Sequence, residues 1–537
     1  MTEKPWLKHY PEGIQKELEI PNIPVHQMLL DSTAKYPQNE AIIFYHKRMT
    51  YTELTGLSRA FTSALQANGV QKGDRVAVML PNCPQYVISY FGTLMAGGII
   101  TQVNPMLVEK ELQYILQDSG AETIVILDAL YPRLKSIQDQ TNVKNVIVVS
   151  LQPSETSFTQ DRSFEEFMQT ANGHIAPVAI DPVNDIAVLQ YTGGTTGRSK
   201  GAMLTHRNLV ANVVQSYEFF KQDINLGQDK CLTVIPLFHV FGMTSGMNLS
   251  IFCGSSNVLL PRFDLEEMLQ TIKREQPTTF PGVPTMYVAL TNHPKAEDYG
   301  IDSIRVCNSG SAPMPVELMK EFEAKTGAKV LEGYGLSEAA PTTHCNPMFA
   351  ERKPGSVGIG FPSTDYKIVD VATGSLEVPA GELGEVIIKG PQVMKGYWNM
   401  PEETAHTLRD GWLYTGDIAR MDEDGFLYIV DRKKDMIIAS GYNVYPRDVE
   451  EVLYQHPSVQ EAVVIGVPDS YRGETVKAVI VLKAGKEATQ EEIIQYCKDN
   501  MASYRVPTII EFRDQLPKTS VGKILRRALR DEVNAVK

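Results

Sequence analysis

The chain has 537 residues, 43% hydrophobic and 21% charged, and a formal net charge of -13. That length exceeds what one hydrophobic core serves, so two or more domains are expected, and the acidic balance argues against nucleic acid as the main partner. Six scattered cysteines (83, 231, 253, 307, 345 and 497) form no Cys-x-x-Cys pair, which speaks against a zinc site or a disulfide framework and for a reducing cytoplasm.

Residues 1–9 contain no apolar run of the kind a signal peptide needs. Residues 76–108 lack Asp, Glu, Lys and Arg, but Pro81, Pro84, Gly97, Gly98 and Pro105 interrupt them. A membrane span needs about 20 mostly apolar residues in one helix. The stretch reads instead as a buried strand (Arg75–Leu80), a core helix (Pro84–Ala96) and a further strand. Ile186–Tyr191 is another apolar strand, and Thr205 is placed to cap a helix with Leu209, Val210, Val213, Val214 and Tyr217 on one face. Asp422-Glu-Asp-Gly425, between Ile418–Met421 and Phe426–Val430, is a hairpin signal.

Beyond Lys434 the elements shorten. Pro446 suits the first turn of a helix, Val459–Val467 and Val476–Leu482 read as strands, and Thr489-Gln-Glu-Glu492 is a capping box opening a helix through Met501. Strands alternating with amphipathic helices through about 400 residues indicate α/β layering, and about 100 further residues suffice for a small domain.

The segment most informative about function is Tyr191-Thr-Gly-Gly-Thr-Thr-Gly-Arg-Ser-Lys-Gly201. Its glycines let several backbone N–H groups converge on one ligand, its hydroxyls add donors, and Arg198 and Lys200 oppose anionic charge. Polyphosphate suits such a loop, although the spacing is not Gly-x-x-x-x-Gly-Lys-Ser/Thr. A flexible linker is the other reading of this composition, but linkers seldom follow directly on a buried strand. Four further motifs succeed it: Tyr334-Gly-Leu-Ser-Glu338, Tyr414-Thr-Gly-Asp417, Asp431-Arg-Lys-Lys-Asp435 and Pro517-Lys-Thr-Ser-Val-Gly-Lys523.

In this order and over this length, the five motifs resemble the adenylate-forming superfamily of acyl-CoA synthetases, luciferases and peptide-synthetase adenylation domains. The nearest resemblance is to bacterial long-chain fatty-acid–CoA ligases. It implies a large α/β N-terminal domain of layered sheets and helices (1–431), a hinge (432–435) and a small mobile α+β C-terminal domain (436–537). It also implies two half-reactions. A fatty acid and ATP give acyl-AMP and pyrophosphate, and the acyl group then passes to coenzyme A. A carboxylate with a pKa of about 4.3 needs no general base at pH 7, so the main obstacle is repulsion between two anions.

The resemblance assigns roles by position. Thr192, Gly193, Gly194, Thr195, Thr196, Gly197, Lys200 and Ser337 would bind the phosphates, and Glu338 would hold Mg²⁺. Ser311, Ala312, Pro313, Gly333, Tyr334, Gly335, Asp417 and Arg432 would form the adenine and ribose site. Lys523 would bridge the carboxylate and the α-phosphate, Lys434 would be the hinge, and Gly441 and Tyr442 would line the coenzyme A channel. His239 would lie beside the acyl carboxylate, with Val240, Phe241, Met243, Val283, Pro284 and Gly310 lining an apolar pocket. Taken as bare residues, Asp417 is equally a turn former, His239 a core histidine and Lys523 part of a solvated basic end. Peptide-synthetase domains carry an acid near His239 that pairs with the substrate amino group. Residues 231–261 contain none, which disfavours amino acids. Aryl acids, as in coumarate ligases, are the alternative substrate class, and a non-catalytic acyl- or nucleotide-binding relative is the alternative function. Residues 518–530 carry five cations and no anion, compatible with peripheral contact at an anionic membrane. A homodimer is left open.

Overall fold

The structure, a computed structural model, describes residues 4–152, 161–192, 199–433, 435–439, 442–469, 473–519 and 522–535. One seven-stranded sheet has the order Arg162–Ser163, Asn145–Val149, Thr123–Leu127, Arg75–Met79, Ile99–Gln102, Ile186–Thr192 and Lys200–Thr205. Its pairings are parallel except the last, an antiparallel pair in which Thr192 faces Lys200. Val76–Met79 are all buried, as expected of a parallel strand covered on both faces, and this is why the run is continuously apolar. Residues 76–108 are thus strand, helix (Pro84–Met95) and strand. No helix among the described residues is long and apolar enough to cross a membrane.

A second, nine-stranded sheet runs Ile359–Gly360, Thr342–Cys345, Lys329–Gly335, Val306–Ser309, Thr279–Gly282, Lys230–Thr233, Ser256–Leu259, Glu40–Phe44 and Lys47–Thr50. Helix His206–Phe220 begins where expected. The Thr205 hydroxyl accepts the Asn208 N–H at 3.2 Å, and Leu209, Val210 and Val213 are buried. Asp365–Val369, Gly384–Lys389, Leu408–Arg409, Trp412–Met421 and Leu427–Arg432 make a third sheet. In it the expected hairpin turns at Asp422–Gly425 and sets Asp417 opposite Arg432. The sequence reading contained no strand at Lys200–Thr205, because its Lys-Gly start lacks the alternation that marks one.

The C-terminal domain is an α+β unit with its own sheet: Tyr442–Val444, Ile437–Ala439, Gly473–Leu482 and Val459–Asp469, with Ile509–Phe512 beside Gly473–Leu482. Alternate residues of its central strands feed two cores. Ala462, Val464, Ala478 and Ile480 pack with Val449 and Leu453 of helix Pro446–Tyr454 and with Ile493 and Cys497 of helix Gln490–Asn500. Val463, Ile465 and Val479 pack with Leu516 and Leu529.

Candidate active site

The expected phosphate loop lies at the tip of the hairpin Ile186–Thr192/Lys200–Thr205; Gly193, Gly194, Thr195, Thr196 and Gly197 fall outside the described residues. Its base is clamped. The Tyr191 hydroxyl donates to Asp118 at 2.5 Å, the Tyr114 hydroxyl to the Ser199 carbonyl at 3.1 Å, and the Trp398 N–H to the Gly201 carbonyl at 2.8 Å. Lys200 pairs with Glu403 and lies 5.2 Å from the centre of the Tyr397 ring. The Tyr397 hydroxyl in turn donates to Glu338 Oε1 at 2.7 Å, and the Met394 N–H donates to the Glu338 carbonyl at 2.8 Å. Segment 394–398 therefore ties the loop's lysine to the Glu338 carboxylate. Tyr397 and Glu403 were missed in the sequence because they stand more than fifty residues from any motif they serve.

Gly333, Tyr334, Ser337 and Glu338 are half-buried and Gly335 is exposed, so this wall is open on one side. Opposite it, Ser311, Ala312 and Pro313 follow strand Val306–Ser309, which pairs in parallel with Lys329–Gly335. The Tyr334 hydroxyl donates to Asp417 Oδ2 at 2.5 Å, and Arg432 Nε stands 3.8 Å from Asp417 Oδ1. Burial pushes the Asp417 carboxyl up, opposed first by Arg432. The side chains expected to hold the ribose are thus in mutual contact.

Lys523 reaches this cluster from the small domain. A tight loop carries it: Thr519 N–H donates to the Lys523 carbonyl at 2.7 Å, Gly522 N–H to the Thr519 carbonyl at 2.8 Å, and Lys523 N–H to Thr519 Oγ1 at 3.1 Å. Gly522 has φ +78, and a Cβ there would lie 2.7 Å from Thr285 Oγ1 and 3.1 Å from Val283 Cγ2. Only glycine allows this approach of small domain to large. Burial, then the Arg432 charge, push the Lys523 ammonium down to about 7, against the pull of Asp417. The other cations of the basic C-terminal segment are engaged within the protein. Lys518 pairs with Glu461 at 2.7 Å, Arg526 with Glu450 at 2.7 Å, Arg530 with Asp435 at 2.5 Å and Arg527 with Asp531 at 3.5 Å.

His239 precedes a helix with a π-helical stretch, Gly242–Asn248, a feature frequent at functional sites. Its Nδ1 accepts the Phe241 N–H at 3.3 Å, which assigns the proton to Nε2. Burial, then the Lys523 charge, push the imidazole down to about 4, so it is neutral at pH 7. Under the same helix lies an apolar cavity lined by Cys231, Ser245, Leu249, Phe280, Pro281 and Asn308, among others. None of Val240, Phe241, Met243, Val283, Pro284 and Gly310, the residues expected around the acyl chain, lines this cavity. Val240 and Met243 face the opposite core, Val283 packs with Phe280 and Tyr287, and the Phe241 ring fills the space beside Gly310. An apolar helix conceals which face fronts a cavity. Lys434 and Gly441 fall outside the described residues; Tyr442 opens a strand, and nothing further is described of its side chain.

Residues 29–398 match the AMP-binding enzyme family, and residues 448–523 match the AMP-binding enzyme C-terminal domain. The chain belongs to the AMP-binding enzymes. This AMP-binding enzyme is 50% identical to the long-chain-fatty-acid–CoA ligase of Bacillus subtilis (strain 168), over 99% of its own length and 98% of the relative's. It is similar in structure to the anthranilate CoA ligase AuaEII in complex with anthranoyl-AMP, with a TM-score of 0.89 at 28% identity over 97% of this chain and 98% of that one. MatB from Rhodopseudomonas palustris is 32% identical and covered in full by 96% of this chain, with TM-scores of 0.85 for the ATP-bound form and 0.75 for the apo form.

Proposed function

We propose that this enzyme activates a long-chain fatty acid with ATP, releasing pyrophosphate, and transfers the acyl group to coenzyme A with release of AMP. The observation that carries the reading is Lys523 of the small domain, half-buried within electrostatic reach of Asp417 and His239 of the large domain and of Arg432 at the start of the hinge segment. In the first step the fatty carboxylate attacks the α-phosphorus and pyrophosphate leaves. The ammonium neutralises charge where the two anions meet, and no proton need move. Lys200, Thr192, Ser337 and the loop 193–197 are the proposed phosphate ligands. Tyr334, Asp417 and Arg432, with Gly333, Gly335 and Ser311–Pro313, are the proposed nucleoside site. His239, neutral and protonated on Nε2, is suited to donate to the acyl oxygen rather than to act as a cation.

Glu338 supplies one carboxylate, and no group of three or more metal-ligating side chains occurs among the described residues. That fits Mg²⁺, which keeps several waters and uses one or two carboxylates with phosphate oxygens. When bound, the ion would offset charge on the departing pyrophosphate. Thioester formation then requires Lys523 to withdraw, for which 432–435 is the proposed hinge, with Gly441 and Tyr442 at the thiol's entrance. Coenzyme A-dependent AMP production across fatty and aromatic acids tests the substrate class. Activity should rise toward palmitate or oleate, and activity confined to cinnamates would overturn the choice.

A second measurement follows from the Lys523 ammonium. Its pKa of about 7 in the protein alone leaves it mostly neutral at about pH 8.5. Polyphosphate beside it favours the charged form and raises that pKa, so nucleotide binding takes up a proton between about pH 7 and 10. Titration calorimetry of ATP binding in buffers of different ionisation enthalpy should show uptake approaching one proton at about pH 8.5. Lys523→Met should abolish it. Equal uptake in both proteins would place the proton elsewhere.

A further inference from the structure

Arg447, on the first helix of the small domain, is buried in contact with the large domain. Its Nη1 donates to the Ile429 carbonyl at 2.6 Å, its backbone N–H donates to Asp431 Oδ2 at 3.2 Å, and its Nη2 stands 3.5 Å from Glu332 Oε1. All three acceptors precede the 432–435 segment in the chain. Arg526, which follows the Lys523 loop, reaches toward the same Asp431, with Nη1 at 3.6 Å, while holding Glu450.

Glu332 is 1% exposed. Its Oε1 also accepts the Met314 N–H at 3.2 Å, and Oε2 has no hydrogen-bond partner among the described residues. Glu332 directly precedes Gly333-Tyr334, and Met314 directly follows Ser311–Pro313. One buried carboxylate therefore spans the two walls of the proposed nucleoside site and receives a cation from the small domain. A carboxylate in this position is costly without a counter-charge. Arg447 is the cation that supplies it, and burial holds the Glu332 carboxyl up at about 7 even with Arg447 in place.

We propose that Arg447 is a positioning residue. Seated on Glu332, Asp431 and the Ile429 carbonyl, it holds the small domain in the orientation that presents Lys523 to the nucleotide, and it must leave that seat before thioester formation. The inference rests on the two-step reading above. It adds a latch whose socket is built into the nucleoside wall, so that a well-formed wall and a seated small domain favour one another.

The test separates the half-reactions. Arg447→Met should slow pyrophosphate release with palmitate and ATP about tenfold or more, because the seated arrangement then loses the contacts to Glu332 and the Ile429 carbonyl and leaves the buried Glu332 carboxyl to take up a proton. Thioester formation from supplied palmitoyl-AMP and coenzyme A should stay at the native rate or rise. Glu332→Gln, nearly isosteric, should act in the same direction, and Arg447→Met with Glu332→Gln should recover part of the loss by removing the carboxyl that must otherwise take up a proton. Equal loss of both half-reactions in a protein that melts cooperatively, or strictly additive losses, would overturn the latch.

An orientation readout needs no catalysis. Spin labels placed by Asp302→Cys and Lys498→Cys, both exposed and in different domains, report the interdomain distance, and the six native cysteines are buried. The otherwise native protein should show one dominant distance, and Arg447→Met and Glu332→Gln a second population. Unchanged distributions in both variants would overturn the proposal. Failure of the native enzyme to make an acyl-adenylate from any carboxylic acid would overturn the two-step reading instead, leaving the distance measurement to decide the latch.

Discussion

Lys523→Ala should lower acyl-adenylate formation by about a thousandfold, while conversion of supplied acyl-adenylate to the thioester stays within a few-fold of the native rate. The asymmetry follows from where the ammonium stands. In the arrangement described, Lys523 lies within electrostatic reach of Asp417, Arg432 and His239, where a carboxylate and an α-phosphate would be brought together. An ammonium in a poorly hydrated site neutralises developing charge far more effectively than one in water. In the second half-reaction an uncharged carbonyl is attacked by a thiol, and the Lys523 loop must be elsewhere for the thiol to enter. Gly522→Val tests the same geometry from the backbone, since φ +78 and the 2.7 Å approach to Thr285 Oγ1 leave no room for a side chain. It should mimic Lys523→Ala in the first half-reaction with the ammonium still present. Pyrophosphate release unchanged in Lys523→Ala would remove the lysine from the chemistry, whatever its position.

The parts of this site that could be read in the sequence are those whose chemistry is local. The glycine-rich loop, Tyr334–Glu338 and Tyr414–Asp417 each place their reacting groups within a few residues, and a cap such as Thr205 or Thr489 marks its helix by a hydrogen bond three residues away. Lys523 announced itself only through the resemblance, since a lysine before arginines at a chain end reads as solvated. Structure alone could reveal partners distant in sequence. Glu332 and Arg447 are 115 residues apart, and Glu338 and Tyr397 are 59 apart. Glu332, Arg447 and Tyr397 each have a bland local reading: a strand acid, a helix arginine, a buried aromatic. Strand Lys200–Thr205 was hidden because its partner strand, not its own pattern, fixes it.

The cavity under the helix that His239 precedes, which we propose as the acyl chamber, shows the same limit most sharply, and it yields the second large expected effect. Ser245→Trp should cut kcat/KM for palmitate by more than about a thousandfold while leaving hexanoate nearly unaffected. Ser245 and Leu249 lie one turn apart on the helix that His239 precedes, and both are only half-buried because they face the cavity. Phe280 and Pro281 of one strand and Asn308 of the next close the other side. These residues come from separate elements, and each reads as ordinary core; only their convergence makes a chamber. An indole at position 245 would displace about six methylenes of a long chain. At about 0.8 kcal/mol per methylene that loss is about 5 kcal/mol, or more than three decades in kcat/KM. A six-carbon acid, whose chain ends near the carboxylate, has few methylenes to lose. Comparing the two acids on one variant cancels any general damage to folding or nucleotide binding. Equal losses for both acids would mean that the introduced indole disturbs the site without blocking the chain. An undiminished palmitate rate would mean that the acyl chain runs along another path from His239.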